Sequence, residues 1–189
     1  MSSGISNSVY GVLFCELVRS IQSTVSRADD LMDKLESTGF PIGNKLIESI
    51  VYRQLKGKRP LNHNNALQAI LKAWKHYFGQ SLVLMHAMSA GERKPFECSL
   101  FTVYPLTLDI IKDTTPFVAT FFSTPPDLKD SQGADLIRVT SFQAGIIKGM
   151  LGGLGFPCTI RTGHKPTEEH PQQTLFQVSF DQSVRNREL

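Results

Sequence analysis

The chain has 189 residues, 41% hydrophobic and 20% charged, with a formal net charge of +3. This is enough for one globular domain with a sizeable core, and it excludes a disordered or fibrous chain. The charge is too small for a nucleic-acid surface, no run reaches the ~20 apolar residues of a membrane span, and three cysteines (Cys15, Cys98, Cys158) without metal spacing suit a reducing compartment.

Met1 to Ser8 is small and polar and lacks the regions of a signal peptide, so residues 1–8 read as a flexible N-terminus of a soluble intracellular protein. A helix is predicted over Val9 to Arg27, with Tyr10, Leu13, Phe14, Leu17, Val18, Ile21 and Val25 on one face and Glu16, Arg19, Gln22 and Ser23 opposite. Val12 and Cys15 interrupt the polar face. A short helix, Asp29 to Ser37, carries its acids in the first turn, as the helix dipole favours, and Thr38-Gly39-Phe40-Pro41 ends it. A further helix, Ile42 to Leu55, has the stripe Leu46, Ile47, Ile50, Val51. Lys56-Gly57-Lys58-Arg59-Pro60 follows as a solvated basic loop. Its cations are worth about 1 kcal/mol each near an anionic surface, too little to anchor a protein alone.

Asn64 to Phe78 reads as the next helix, lined by Leu67, Ile70, Leu71, Trp74, Tyr77 and Phe78 and terminated by Gly79. Ser81 to Ser99 has no clear period, with a loop at Gly91 to Pro95. Leu106 to Ile111 and Phe117 to Phe122 are rich in β-branched and aromatic residues and read as an antiparallel hairpin turning at Lys112 to Pro116. A polar connection, Thr124 to Ala134, leads to a glycine-rich helix in which Thr140 or Ser141 supplies the N-cap. At 100° per residue, Phe142, Ile146, Ile147, Met150, Leu151 and Leu154 share one arc, with Gly145, Gly149 and Gly152 along its edge. Interior glycine costs about 0.8–1 kcal/mol relative to alanine, so close approach of another backbone is expected there. Gly155 suits the left-handed position past the helix end, and Pro157 blocks continuation. Cys158 to Thr162 and Thr174 to Phe180 are strands flanking a loop, Gly163 to Gln172, and Ser183 to Leu189 is a polar tail. Helices first and hairpin-type strands later mean an α+β fold, one domain over 9–182 with a C-terminal tail at 183–189.

No active site emerges. Gly149 to Gly155 closes a helix and opens a strand, the reverse of a phosphate loop. His164, Glu168, Glu169 and His170 share a mobile charged loop without zinc spacing. No serine sits in a nucleophile elbow, and no cysteine has a recognisable histidine partner. His63, His76 and His86 read as surface or helix-end residues, and Gln143 is expected to bond a backbone group near its helix start. The sequence therefore offers no catalytic, cofactor-binding or metal-ligating residue.

The segment Thr140-Ser141-Phe142-Gln143-Ala144-Gly145-Ile146-Ile147 through Gly155-Phe156-Pro157 resembles the signature helix of small subunits of the transport protein particle, TRAPP. Gly11 to Val18 resembles the first helix of its subunit-five type, and Gly39-Phe40-Pro41-Ile42-Gly43 is similar to the glycine-containing lead-in to the next long helix in Bet-three-like members. Trp74 to Gly79 and the segment Ile110 to Asp113 with Pro116 to Val118 also match, so the resemblance covers about Val9 to Phe180. The positions carrying it are Gly39, Gly43, Phe142, Ala144, Gly145, Gly149 and Gly155.

The resemblance implies a helical layer packed on a twisted four-stranded antiparallel sheet. It implies a scaffold without chemistry or cofactor of its own, pairing through its first helices with a Bet-three-type subunit and joined to other small subunits. The assembly acts on a Rab GTPase of the Ypt-one/Rab-one class, exchanging its nucleotide to direct vesicle tethering between endoplasmic reticulum and Golgi. Cytoplasmic localisation with peripheral contact at endoplasmic reticulum and cis-Golgi membranes follows, and no nucleic acid. The expected partner face uses Val12, Cys15 and Arg19 with Leu31 and Leu35 of the following helix. Two departures stand out. Bet-three itself carries an acylated cysteine where this chain has Lys58-Arg59-Pro60-Leu61, so acylation does not carry over, and Ser81 to Leu100 is longer than in the family. The alternative function is that of the vinyl-reductase-like sensor domains of the same fold, which bind a small molecule in an internal cavity.

Overall fold

A computed structural model describes residues 7–25, 27–53, 55–86, 96–98, 101–103, 109–119 and 134–187. The arc expected around Phe142 forms the centre of the core: Phe142, Ile146, Ile147, Met150, Leu151 and Leu154 are all buried. They lie on α4 (Ala134–Gly153), which packs most extensively on α2 (Ala28–Arg53) and also on the sheet. The other helices are α1 (Asn7–Gln22), α3 (His63–Phe78) and a single turn, α5 (Gln182–Arg185).

The main sheet is antiparallel, in the order β1 (Val83–His86), β4 (Asp109–Asp113), β6 (Thr174–Phe180), β5 (Cys158–His164). Its registered pairs set Ile111 opposite Phe176 and Ile160 opposite Val178, and these four join the main core together with Cys158. On β6 the predicted alternation holds, with Phe176 and Val178 buried and Gln177 and Ser179 half-buried. Ile110 and Leu175, on the other face, are buried outside the main cluster. A separate ribbon pairs β2 (Phe96–Cys98) with β3 (Phe101–Val103). This is the α+β architecture expected, one helical layer on a four-stranded antiparallel sheet.

The helix ends follow from local chemistry. Asn62 caps α3, its side chain accepting the Asn65 N–H at 2.8 Å, and Gly79 closes it at φ 70°. α4 ends in a Schellman motif: the Phe156 N–H bonds the Leu151 carbonyl and the Gly155 N–H bonds Gly152, both at 2.9 Å, with Gly155 at φ 87°. Leu151 and Phe156 then meet in the core, and the chain turns directly into β5.

Several sequence expectations are corrected. Residues 28–53 form one helix rather than two, running through Pro41. A proline inside a helix costs about 3 kcal/mol, which the long contact with α4 offsets. The helix predicted to Arg27 stops at Gln22, where the Ser23 and Thr24 hydroxyls bond back to the Ser20 and Ile21 carbonyls at 2.8 Å and compete with further helix. Leu13, read as a core residue, is 62% exposed.

The helix of Phe142 begins by Ala134, so Thr140 and Ser141 are buried inside it and cap nothing. The hairpin between 106–111 and 117–122 does not form over the described residues. Both edges of β4 are taken, by β1 and β6, and Phe117 to Ala119 form a buried turn instead. Phe117 stacks on Phe78 at 4.6 Å and meets Trp74 at 5.7 Å, so its apolar character serves the α3 interface rather than a ladder. The apolar run before His86, left unassigned in the sequence, is β1. The tail is not free either: Val184 is buried, and Arg187 donates to the Gly155 carbonyl at 2.7 Å and sits over Phe156. Of the N-terminus expected to be flexible over 1–8, Asn7 and Ser8 instead open α1, while residues 1–6, the loop at Gly91 to Pro95 and most of the connection before Ala134 lie outside the described residues.

Candidate functional site

Two surfaces of the helical layer are candidates for assembly, one turned inward and one outward. The inward one is the α2–α4 contact. Gly39 and Gly43 on α2 and Gly145 and Gly149 on α4 are each four residues apart, which puts each pair on one helix face. The two faces touch backbone to backbone. A Cβ at Gly39 would fall on the Phe142 carbonyl, at Gly43 on that of Ile146, at Gly145 on that of Glu36 and at Gly149 on that of Phe40, each well inside 3.0 Å. The close approach expected at the glycine edge of α4 is therefore present, and its counterpart is the pair Gly39 and Gly43, of which the sequence reading had assigned Gly39 to a helix break and Gly43 to the start of the next helix. Two small residues four apart on each of two segments was the signal that joined them. Glu36 and Lys148 bridge the same helices by an ion pair, and with Asp33, Ser37 and Phe40 they line an open hollow of about 400 Å³.

Of the remaining family-motif residues, Ala144 is buried and Phe142 packs its ring 5.3 Å from Phe14, tying α4 to α1. The inner side of α1 is thus fixed by Phe14 and Val18, both 3% exposed, while the outer side stands in solvent. Val12 is 64% exposed, and Cys15 and Arg19 are exposed beside it. Leu31 and Leu35 do not join them. Both belong to this chain's own core, Leu35 with no exposed surface at all, because α2 turns that stripe inward beside α4. Their place on the outer face is taken by Leu13, whose helical position borders Val12 and Glu16.

The polar groups that sequence reasoning overlooked lie on β4. Asp109, Ile111 and Asp113 alternate onto the helix-facing side of the strand. Asp109 lies 3.9 Å from the His63 imidazole of α3, and Asp113 accepts from Gln143 Nε2 of α4 at 3.3 Å and from the Thr115 N–H at 3.1 Å. Gln143 therefore bonds a carboxyl on the sheet, not a backbone group of its own helix. Burial pushes the Asp113 carboxyl up to about 6, against the two hydrogen bonds that lower it. Gln143 Oε1 is buried with no hydrogen-bond partner among the described residues. Two aspartates four apart around Ile-Ile-Lys were the available sign. The pair fastens helices to sheet.

Among the described residues no three metal-binding side chains converge. His164 Nε2 lies 2.9 Å from the Pro171 carbonyl, while Glu168 and Glu169 point to solvent. Burial pushes the Cys158 thiol up to about 12, which leaves it protonated and a poor nucleophile.

Residues 10–181 match the family model for the transport protein particle (TRAPP) component. The chain belongs to the TRAPP family. Trafficking protein particle complex subunit 5 of Gallus gallus is 25% identical over 185 residues, covering 97% of this chain and 85% of that protein. The Dictyostelium discoideum subunit 5 is equally similar, at 25% over 97% of this chain and 89% of its own length. Subunit 31 of the Saccharomyces cerevisiae particle matches a shorter stretch, 43% identical over 47 residues, a quarter of this chain. A subunit 3 from Naegleria fowleri, solved covalently bound to palmitic acid, shares the fold at TM-score 0.61, with 15% identity over 93% of this chain and 95% of that one. The TRAPP small-subunit resemblance read from the glycine-rich helix and the subunit-five resemblance read from Gly11 to Val18 both stand, and partners within a TRAPP complex follow from them.

Proposed function

We propose that this TRAPP subunit is a non-catalytic scaffold that pairs through the outer face of α1 with a Bet-three-type subunit. In this reading the pair supports nucleotide exchange on a Ypt-one/Rab-one class GTPase and works in tethering at endoplasmic reticulum and cis-Golgi membranes, peripherally associated from the cytoplasm. The observation that carries the pairing is the exposure of Val12 and Leu13, 64% and 62%, on a helix whose opposite face is already locked into the core by Phe14 and Val18. Large apolar side chains side by side on a surface are the usual mark of a protein interface. Exposed Arg19 and Cys15 flank them, giving the polar rim and the small central residue such a patch needs. Membership of the TRAPP family supports a partner from within a TRAPP complex.

Co-expression with a Bet-three-type subunit, followed by size-exclusion chromatography with light scattering, tests this. A stable one-to-one species is expected. Arg19→Glu and Cys15→Asp are each expected to weaken it at least tenfold, as charge reversal or charge burial at an interface costs more than about 1.4 kcal/mol. Wild-type affinity in both variants would show that another face is used.

A further inference from the structure

No acidic residue occurs between Glu48 and Glu92, while the same span holds Arg53, Lys56, Lys58, Arg59, Lys72 and Lys75. Outside it, fourteen Lys and Arg stand against all seventeen acids, so the rest of the chain is net negative and the modest overall charge conceals a segregated basic region. Four of the six cations cluster where α2 ends and the chain turns toward α3. Arg53, Lys56, Lys58 and Arg59 are all exposed. Leu55 roots the turn on the core, and its tip faces open space. Lys56 and Gly57 take consecutive left-handed conformations, at φ 51° and 77°, and a Cβ at Gly57 would meet nothing within 4 Å.

Two large apolar side chains flank these cations, Tyr52 at 82% and Leu61 at 91% exposure. Leu61 directly precedes the α3 cap residue Asn62, a position from which an apolar side chain ordinarily packs down on the first helical turn. The residue it would pack on is Ala66, already fully buried, and Leu61 stays in water.

We infer that the turn between α2 and α3 is a membrane-contact element: Arg53, Lys56, Lys58 and Arg59 meet anionic lipid headgroups while Leu61 and Tyr52 enter the boundary with the acyl chains. A protruding turn with cations between an aliphatic and an aromatic side chain matches the layered chemistry of a bilayer surface, where charge faces headgroups and tyrosine sits at the interface. An acidic protein groove or a nucleic acid would match the charge but leave Leu61 unexplained. The inference deepens the peripheral-membrane part of the proposed function and is independent of which subunit the chain pairs with.

Flotation of the purified full chain with vesicles of phosphatidylcholine alone, and with phosphatidylserine added, tests it. Binding is expected only to the anionic vesicles and is expected to weaken with salt. Each neutralised cation is worth a factor of about five, so Lys56→Gln/Lys58→Gln/Arg59→Gln is expected to lower the partition coefficient about a hundredfold. Leu61→Ser is expected to lower it severalfold at unchanged charge. Arg185→Gln, an exposed cation on α5, serves as the control and is expected to bind as wild type. Failure to float on anionic vesicles, or equal flotation of the triple variant, would overturn the membrane assignment. Because no partner is present in the assay, either result leaves the pairing test untouched.

Discussion

The contact between α2 and α4 has no room for one added methyl at Gly39, Gly43, Gly145 or Gly149, whereas Val12 and Leu13 on α1 hold more than half their surface in water. Both are apolar helix faces, and hydrophobicity alone does not distinguish them. The difference lies in what has been given up. The α2–α4 face sacrifices helix propensity at four glycines and tolerates a proline in α2, costs that are recovered only if the two backbones touch within the same chain. The outer α1 face carries no glycine or proline, gives up only the smaller propensity costs of Val12 and Cys15, and forgoes the burial of two side chains, which a second protein can later supply. Sacrificed propensity thus marks an interface completed on folding, and unburied apolar area one completed on assembly.

The sharpest way to break this comparison is Gly145→Ala. The new Cβ would meet the Glu36 backbone, which has no rotamer to change, so the helices must separate along their whole contact. A loss of about 3 kcal/mol or more is expected in urea denaturation, the upper end for an overpacked core. Gly152→Ala is the matched control on the same helix. Its Cβ would touch only the Phe40 ring, at 3.5 Å, and a gain of up to about 1 kcal/mol is expected from propensity. Equal effects at the two sites would mean the close approach is not what the glycines are for.

A smaller effect is expected between helix layer and sheet. The Asp113 carboxyl, raised from 3.8 to about 6, binds its proton more tightly folded than unfolded. Its contribution to stability is therefore fully present below about pH 4, falls as pH rises toward 6, and is absent at pH 7. Asp113→Asn keeps the shape, removes the buried charge and can donate to the unpartnered Gln143 Oε1. A gain of about 1–2 kcal/mol at pH 7 is expected, with the pH dependence between 4 and 6 flattened, as measured by urea denaturation across that range. A loss at pH 7 would mean that the carboxylate form is the one the site is built for.

How much of this was legible in the sequence depends on whether the cue was local. The arc of α4, the Gly155 stop and the face of α3 all repeat within one helix and were read correctly from periodicity. The alternation of Phe176 and Val178 on β6 was equally plain. Failures came where a distant segment overrides a local signal. Thr38-Gly39-Phe40-Pro41 has the chemistry of a helix end, and only the α4 backbone against Gly39 and Gly43 keeps α2 continuous. Phe117 and Val118 have strand composition, but β1 and β6 had already filled both edges of β4. Of the candidate site, Val12 and Cys15 were legible as interruptions of a polar face to which Arg19 belongs. Leu35 was not separable from them, since an apolar helix stripe looks the same whether its cover is α4 or another protein.

The smallest effect is expected on the outer face of α1, and it is the most informative about assembly. Leu13→Asp places a charge at a site 62% exposed, so the isolated chain is expected to change stability by no more than about 0.5 kcal/mol. Phe14→Ala, one residue along, removes a ring that touches Phe142 and is expected to cost about 3–5 kcal/mol. Urea denaturation of the lone chain measures both. If Leu13→Asp is as costly as Phe14→Ala, α1 is buried by this chain on both sides and no partner is needed to explain its apolar residues. If it is silent in the lone chain but lowers the denaturation midpoint of the co-expressed pair, the free energy withheld from folding at Val12 and Leu13 is recovered on assembly.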